Sequence, residues 1–376
     1  MDFGLSDDQR LLEETVRGFL RDRVPIARVR ELREAPCPND RAIWRGLAEL
    51  GTTGVLIPEA HGGSDLSLLD AALVAQALGH AVTPAPFLAS AVIAPVALRA
   101  LGGTDAKTWL EGIAAGDLVL GVALTESFSI REDAGVALDG GRLRGKALMA
   151  LDAHSADAIL LAIAGEPQVS RSEAKPSEGQ RLAIVRADAA GLATTRLATI
   201  DATRCTAELV LDGVTPDAVY GDAGQSISRA LDAGRIALAF DVLGACDAMI
   251  EQAVGYAQQR KQFGRAIGSF QAVKHLCAEM IAALEPARSL LWYAAHSFDA
   301  LPDEAPLLAC HALAHVSEIG REIASTATQV HGGIGWTDEQ NLHFWFKRIA
   351  VARHLLGGPE RLRARAAELQ GLALAS

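Results

Sequence analysis

Arg260-Lys-Gln-Phe263-Gly264-Arg-Ala-Ile267-Gly-Ser-Phe270-Gln271 is the stretch on which the reading of this chain turns, with His275 and Met280 following it. A helix with a basic end stops there at a glycine turn and a second helix begins. That puts Arg260, Lys261 and Arg265 beside backbone groups a helix end leaves free, a combination suited to a pyrophosphate. The same letters also describe an ordinary solvated helix end, so the stretch needs company. Its company is Gln329-Val-His331-Gly332-Gly333-Ile-Gly335-Trp336, three glycines in four residues at the close of another helical run. A helix terminator needs one glycine, whereas close backbone approach to a ligand uses several.

Working outward, helical periodicity fills residues 223–376, with long Ala-rich runs at 228–260, 270–299, 305–330 and 340–370. Before them, residues 119–222 read as short strands between turns: LVLGVALTE, GVALDG, RLRGKAL, AILLAIAG, RLAIVRA and AELVLDGV. The polar segment 165–180 reads as a mobile hairpin loop. Residues 1–118 are helical again. Ser6 and Gln9 form a capping box ahead of the apolar face Leu12, Val16, Phe19 and Leu20; a second helix runs from Asp65 to His80, and a third from Phe87 to Leu101. The expected class is α+β, in the order helical domain, small β-barrel or sandwich domain, four-helix bundle.

At 376 residues the chain can bury a large core, and with half its residues apolar and 22% charged it reads as globular. A net charge of -11 argues against nucleic acid as a partner, so an anionic ligand needs a local basic patch. No apolar run reaches the roughly 18 residues of a membrane span, and the acidic start MDFGLSDDQRLLEE is unlike a signal peptide, so a cytoplasmic protein with no membrane contact is expected. Five cysteines without a Cys-x-x-Cys pair indicate neither a disulfide framework nor zinc; all five read as buried, reduced fillers, and no metal site is expected.

The two stretches, in this order after an α-then-β prefix, resemble the acyl-CoA dehydrogenase family over nearly the whole chain. Pro58-Glu59 with Gly62-Gly63, Thr125-Glu126, Gly145-Lys146 and Arg348 add to the likeness. The resemblance implies FAD as cofactor, an acyl-CoA thioester as substrate, electron-transfer flavoprotein as acceptor and a tetramer made of two dimers. In it, the flavin ring lies on one subunit's β domain and the adenine and pyrophosphate on the last domain of a neighbour. Carried over by motif, Arg260 is similar to the pyrophosphate-binding arginine and Phe263 to the residue packing on the far end of the flavin. Gln262, Gln271, Gln329, Gly332 and Gly333 fall at further dinucleotide contacts, although position 262 is often a small hydroxyl residue in the family.

The chemistry the resemblance implies needs a carboxylate with a raised pKa to take the α-proton while the β-hydrogen leaves as hydride. The family seats that Glu either in a turn after the Arg348 segment, which here reads Arg353-His-Leu-Leu-Gly357-Gly358-Pro, or 26 residues before the motif arginine, which is Gly234. Both seats are empty. The flavin face of the β domain also departs from the pattern, reading Thr125-Glu-Ser-Phe-Ser-Ile-Arg-Glu132 and Lys146-Ala-Leu148-Met-Ala150, without the family's Trp and hydroxyl. Asp232 and Asp241 flank Gly234 at offsets that change their facing, so both read as surface or cap residues, with Asp232 a weak alternative base. His275, His331, His343 and His354 are scattered and read as interface or core residues; Trp336, Phe344, Trp345 and Phe346 read as interface aromatics.

Three readings follow. The first, which the retained grip beside the missing base favours, is the non-catalytic subunit of a heterotetramer with a homologous partner, similar to short acyl-CoA dehydrogenases of bacterial steroid side-chain degradation. The second is a self-sufficient homomeric flavoenzyme with an unconventional base, and the third a non-enzymatic scaffold.

Overall fold

The computed structural model describes residues 4–129, 133–163 and 179–372. The hairpin loop expected at 165–180 falls, all but its last two residues, outside the described residues, as does Glu132. The N-terminal segment forms helices α1 (Asp7–Arg23), α2 (Ile26–Arg33), α3 (Arg41–Glu49), α4 (Leu68–His80), α5 (Ala94–Leu101) and α6 (Gly103–Ala114). The Ser6/Gln9 capping box is present in both directions, each bond 3.1 Å. Helix α4 starts at Leu68 and not at Asp65, because Asp65 adopts φ 45° and the helix is instead opened by Leu68 N–H donating to Asp299 (2.8 Å). Residues Leu88–Ile93 widen into a π-helix, in which Ala94 N–H returns to Ala89 O just before Pro95, which has no N–H to give.

Strands β1 (Leu120–Ala123), β2 (Gly135–Asp139), β3 (Arg142–Leu151), β4 (Ala158–Ile163), β5 (Arg181–Arg186), β6 (Leu192–Arg196), β7 (Thr206–Val214) and β8 (Ala218–Tyr220) form one sheet in the order β6-β7-β3-β1-β4-β5-β8, with β2 on β3. Among the described residues only β1 and β4 pair in parallel. Strands β6 and β8 were not expected from sequence: β6 is LATTR, mostly polar, and β8 has three residues, so neither shows an apolar alternation. The sheet's core is Val136, Leu143, Ile159, Leu161, Val185, Leu209 and their neighbours, all buried.

The chain then forms α7 (Gly224–Gln259), the short strands β9 (Lys261–Gln262) and β10 (Arg265–Ala266), α8 (Gln271–Ala300), α9 (Ala305–His331), α10 (His343–Ala352) and α11 (Gly358–Leu369). The run expected as one helix over 340–370 is therefore two. Leu356, Gly357 and Gly358 take φ of 52°, 120° and 70°, and Pro359 opens the second helix, so no single helix can pass through. Two compact units result, one of residues 1–31, 68–83 and 235–376, the other of 32–67 and 84–234. Among the described residues no helix is long and apolar enough to cross a membrane, and no cluster of His, Cys, Asp or Glu could hold a metal ion.

In the first unit, α4 is buried along nearly its whole length and crosses α7 at two glycines. A Cβ on Gly79 would lie 2.0 Å from Asp241 O, and one on Gly244 2.0 Å from Gln76 O, so neither position admits a side chain. Asp241 is not the surface or cap residue expected. It is 6% exposed and pairs with Arg348, itself 3% exposed, through contacts of 2.6 and 2.9 Å. Arg348 also donates to Thr83 O (3.2 Å). Asp232 is likewise buried, at 3%. The offset argument failed because α7 is enclosed on every side here, leaving no solvent face for an off-axis residue to turn to. The cysteine expectation needs correction too: Cys205, Cys246 and Cys310 are buried, but Cys37 and Cys277 are partly exposed.

Removing one partner of a buried ion pair strands the other charge, at a cost of about 3–5 kcal/mol, whereas replacing both with apolar residues can be neutral. Asp241→Ala should accordingly lower the unfolding free energy by about that amount in urea titration, and Asp241→Leu/Arg348→Met should recover most of it.

Candidate functional site

The segment after α7 is a β-hairpin between the helices rather than the plain glycine turn expected from its sequence. Gln262 pairs with Arg265 and Lys261 with Ala266, around a two-residue turn in which Phe263 and Gly264 have φ of 53° and 75°. Such a turn matches the twist of the flanking strands but demands left-handed backbone at both positions, ordinary for glycine and strained for phenylalanine. Phe263 is nevertheless 91% exposed at the tip. Its ring meets Phe270 edge-on (6.1 Å), and Arg265 lies over the other ring (4.1 Å). Arg260 O accepts the Ile267 N–H (2.8 Å) and closes the hairpin's base. Arg260 and Lys261 are exposed and form no ion pair among the described residues. In a chain of charge -11, an unneutralised pair of cations on a built turn is a local anion-attracting spot.

The second stretch ends α9. Gln329 and Gly332 to Ile334 are exposed, and His331 is buried. Gly332 turns the chain at φ 68°, while a Cβ on Gly335 would meet Thr328 O at 2.9 Å, so that glycine serves the turn itself. Gly333 differs: a Cβ there would meet nothing within 4 Å. His331 stacks on Tyr256 with ring centroids 4.6 Å apart, and Tyr256 O accepts the N–H of Arg260 (2.8 Å). One aromatic contact thus brings the end of α7 carrying Arg260 beside the end of α9 carrying Gln329 and Gly333. Because Ala327 O accepts from His331 Nδ1 (2.8 Å), Nε2 is the bare nitrogen, buried and without a partner among the described residues. Burial lowers the His331 pKa below its ordinary 6.5 despite that hydrogen bond. Gln271, exposed, opens α8 on the far side of the hairpin. Of the remaining histidines, His275 and His354 are exposed and His343 pairs with Asp338 (2.9 Å), with no gathering of the four. Phe344 and Trp345 pack into their own unit, where Trp345 Nε1 donates to His80 O (2.9 Å), while Trp336 is 75% exposed.

Neither position at which the family resemblance seats a base holds a carboxylate. Gly234 is buried within α7, and the next residue, Arg235, donates through Nε to the carbonyl of Leu356, the residue before Gly357 (3.1 Å). Asp241 is held by Arg348. In the second unit, β3 carries a bulge against β7 between Ala147 and Ala150, with Met149 at φ 53°, and the Leu148 N–H at that bulge donates to Glu126 Oε1 (2.8 Å). Arg235, Tyr256 and the Glu126 bond were missed from sequence. Arg235 had a visible signal, a lone charge inside the apolar run Ala233-Gly-Arg-Ile-Ala237.

Residues 6–117 match the family described as acyl-CoA dehydrogenase, N-terminal domain, and residues 223–369 match acyl-CoA dehydrogenase, C-terminal domain. Acyl-CoA dehydrogenase IpdE2 of Mycolicibacterium smegmatis is 30% identical over 97% of this chain and 100% of its own length; IpdE2 of Mycobacterium tuberculosis is 29% identical over 96% of each. Among solved structures, the ChsE4-ChsE5 complex from Mycobacterium tuberculosis aligns with TM-score 0.88 and 26% identity over the full length of both chains. A variant of the Tcur3481-Tcur3483 steroid ACAD aligns with TM-score 0.86 and 28% identity, covering 97% of this chain and 98% of that one.

The depressed His331 has a measurable consequence. Below its ordinary pKa of 6.5 the unfolded chain takes up a proton that the folded chain refuses, so this residue makes stability fall as pH drops through that value. His331→Phe keeps the stack on Tyr256 and removes the titration; its melting temperature should decline less than the wild type's between about pH 7.5 and 5.5.

Proposed function

The chain belongs to the acyl-CoA dehydrogenase family, and from that premise we propose that it is one subunit of a heteromeric FAD-dependent acyl-CoA dehydrogenase. It contributes the surface that grips the adenine and pyrophosphate of FAD, and a homologous subunit supplies the carboxylate that deprotonates the thioester. Within this reading residues 1–118, 119–222 and 223–376 are its three domains. The observation that carries it is a contrast: Arg260 and Lys261, without ion pairs among the described residues, follow the Tyr256 that stacks on His331 next to the open backbone of Gly332-Gly333, while the positions for a base hold Gly234 and Gly357.

The fit to FAD differs between the two units. On the first, Arg260 and Lys261 neutralise the pyrophosphate, the open backbone at Gly332-Gly333 lets it approach, and the exposed amides of Gln262, Gln271 and Gln329 are available to hydrogen-bond the dinucleotide. Phe263, held out at the hairpin tip, offers its ring to whatever the neighbouring subunit presents. On the second unit the fit is poor. Leu148 and Ala150 bring neither an indole nor a hydroxyl, and the Leu148 N–H at the bulge is already spent on Glu126. Bound flavin supplies hydride acceptance, and electron-transfer flavoprotein is the onward acceptor this reading implies.

The proton step needs a desolvated carboxylate free to change protonation state. Asp241 is unsuited because the Arg348 guanidinium grips both its oxygens. A buried cation, Arg235, follows the empty seat on α7 and stabilises a negative charge rather than raising a base's pKa. The likeness to ChsE4-ChsE5 and Tcur3481-Tcur3483, each an assembly named for two components, supports a two-gene assembly, and the steroid ACAD among them points to steroid-derived acyl thioesters as the substrate class. One observation favours a self-sufficient enzyme instead: Asp232 is buried and lies one helical half-turn from Gly234.

Purified alone, the chain should be inactive; co-expressed with a homologous subunit it should form a yellow, active complex with about one flavin per two chains. In that complex Arg260→Ala should weaken flavin binding roughly tenfold to a hundredfold, the worth of a charge-assisted contact. Gly333→Val should fold normally, since its space is open, yet lose flavin. Asp232→Asn should leave turnover unchanged. A yellow, active homomer made from this chain alone, silenced by Asp232→Asn, would overturn the reading.

A further inference from the structure

Away from the gripping surface, residues 34–40 connect α2 to α3 and are tied to the sheet of the second unit at several points. Arg196 donates to Ala35 O (3.2 Å) and Pro36 O (2.7 Å), and Asn39 Nδ2 donates to Asp152 (2.9 Å) and Ser155 (2.8 Å). Arg41 grips Asp157 through two bonds of 2.8 Å. Between these ties the Cys37 sulfur lies 3.0 Å from that of Cys205, 168 residues on. Cys205 is buried at the threshold of β7, and its own carbonyl accepts the Asp152 N–H (2.7 Å). The two sulfurs are therefore held together by backbone and side-chain bonds that do not depend on either thiol.

We propose that Cys37 and Cys205 are a redox pair, which a hydroperoxide closes to an intramolecular disulfide that fastens the α2–α3 connector to the start of β7. The two thiols are unequal in the way such chemistry requires. Cys37 is partly exposed, and its pKa is lowered to about 6, first by the Cys205 thiol hydrogen bond and then by the Asn39 backbone N–H and the nearby His154, against the opposing effect of burial. Cys205, buried beside the Cys37 sulfur and Asp152, is pushed up and stays protonated. Cys37 is the nucleophile and Cys205 the resolving thiol.

In the first step the Cys37 thiolate attacks the terminal oxygen of the hydroperoxide. A sulfur–oxygen bond forms, the oxygen–oxygen bond breaks, and the alkoxide leaves to take a proton from water. In the second, the Cys205 sulfur attacks the Cys37 sulfenic acid; the sulfur–sulfur bond forms, the sulfur–oxygen bond breaks, and hydroxide departs with the Cys205 proton as water. Two thiols lose two electrons and one peroxide gains them. A dithiol reductant reverses the bridge.

Treatment of the full-length chain with hydrogen peroxide should lower the thiols titrated after denaturation from five to three. Peptide mapping should find Cys37 joined to Cys205, with the mass of two hydrogens lost, and dithiothreitol should restore all five. In Cys205→Ser, a dimedone adduct should accumulate on Cys37; in Cys37→Ser, no thiol should be lost. Brief alkylation should label Cys37 at least about tenfold faster than Cys277, the other partly exposed cysteine. Retention of five thiols, a bridge between other cysteines, or oxidation of Cys277 as fast as Cys37 would each overturn the proposal. The wild-type mapping decides it even if a serine variant fails to fold.

Discussion

At Gly79 the backbone of α4 comes so close to α7 that a methyl group would sit 2.0 Å from the carbonyl of Asp241, and much of the first unit follows from that approach. Two helices can touch backbone to backbone only where both lack obstructing side chains, so Gly79 and Gly244 fix the crossing point and its register. The close approach leaves the Asp241 carboxylate deep in the interior, where water cannot solvate it. A charge there persists only with a partner of matching geometry, and Arg348 on α10 provides a fork that meets both oxygens while its remaining reach goes to Thr83 O. Helix α10 is thereby pinned to α7 and to the chain just after α4. The same bond that secures the packing removes the most enclosed carboxylate of this unit from acid–base chemistry.

The ends of these helices have the opposite character. Where α7 and α9 finish, the polypeptide spends energy on features that packing does not reward. A phenylalanine sits in left-handed backbone with its ring in solvent, two cations have no ion pair among the described residues, and a glycine stands where a side chain would meet no obstacle. The Tyr256–His331 stack draws the two ends together, and the unpartnered His331 Nε2 beneath it shows that this contact is itself bought at a cost in buried polarity. Costs of this kind persist when a ligand or partner repays them, which is the physical content of the proposed cofactor grip.

Much of the fold was legible because its signals are local. The capping box at Ser6, the helix–sheet–helix change of texture and six of the eight sheet strands all rest on patterns a few residues long. Polar β6 and three-residue β8 belong to the sheet through their neighbours and carry no pattern of their own. The hairpin at Phe263-Gly264 was hidden because two-residue strands have no period to detect. At the site, both motifs were readable as glycine and charge punctuation, but their adjacency was not. It depends on Tyr256 meeting His331, 75 positions away in a chain whose numbering gives no hint of it. Asp232 and Asp241 were misread for a related reason: helical offsets predict which way a residue faces, while burial depends on what surrounds the helix, and α7 is surrounded.

Under the proposed reading, the carboxylate missing at Gly234 and Gly357 is more than a side chain lost at a single position. At Gly357 the backbone stands at φ 120°, a conformation that L side chains rarely adopt, and Leu356 and Gly358 on either side are left-handed as well. The Leu356 carbonyl, in turn, accepts from Arg235, whose buried guanidinium stands next in sequence to the other empty position. A glutamate written into Gly357 would meet backbone strain before it met a substrate, and one written into Gly234 would stand next in sequence to a buried cation that favours its ionised form over the proton-sharing state a base needs. The residues next to the two positions, Arg235 and Leu356, are thus joined by a hydrogen bond. Strained backbone at one position and a buried cation beside the other are features that a subunit relieved of the chemistry by its partner, as proposed, would be free to carry.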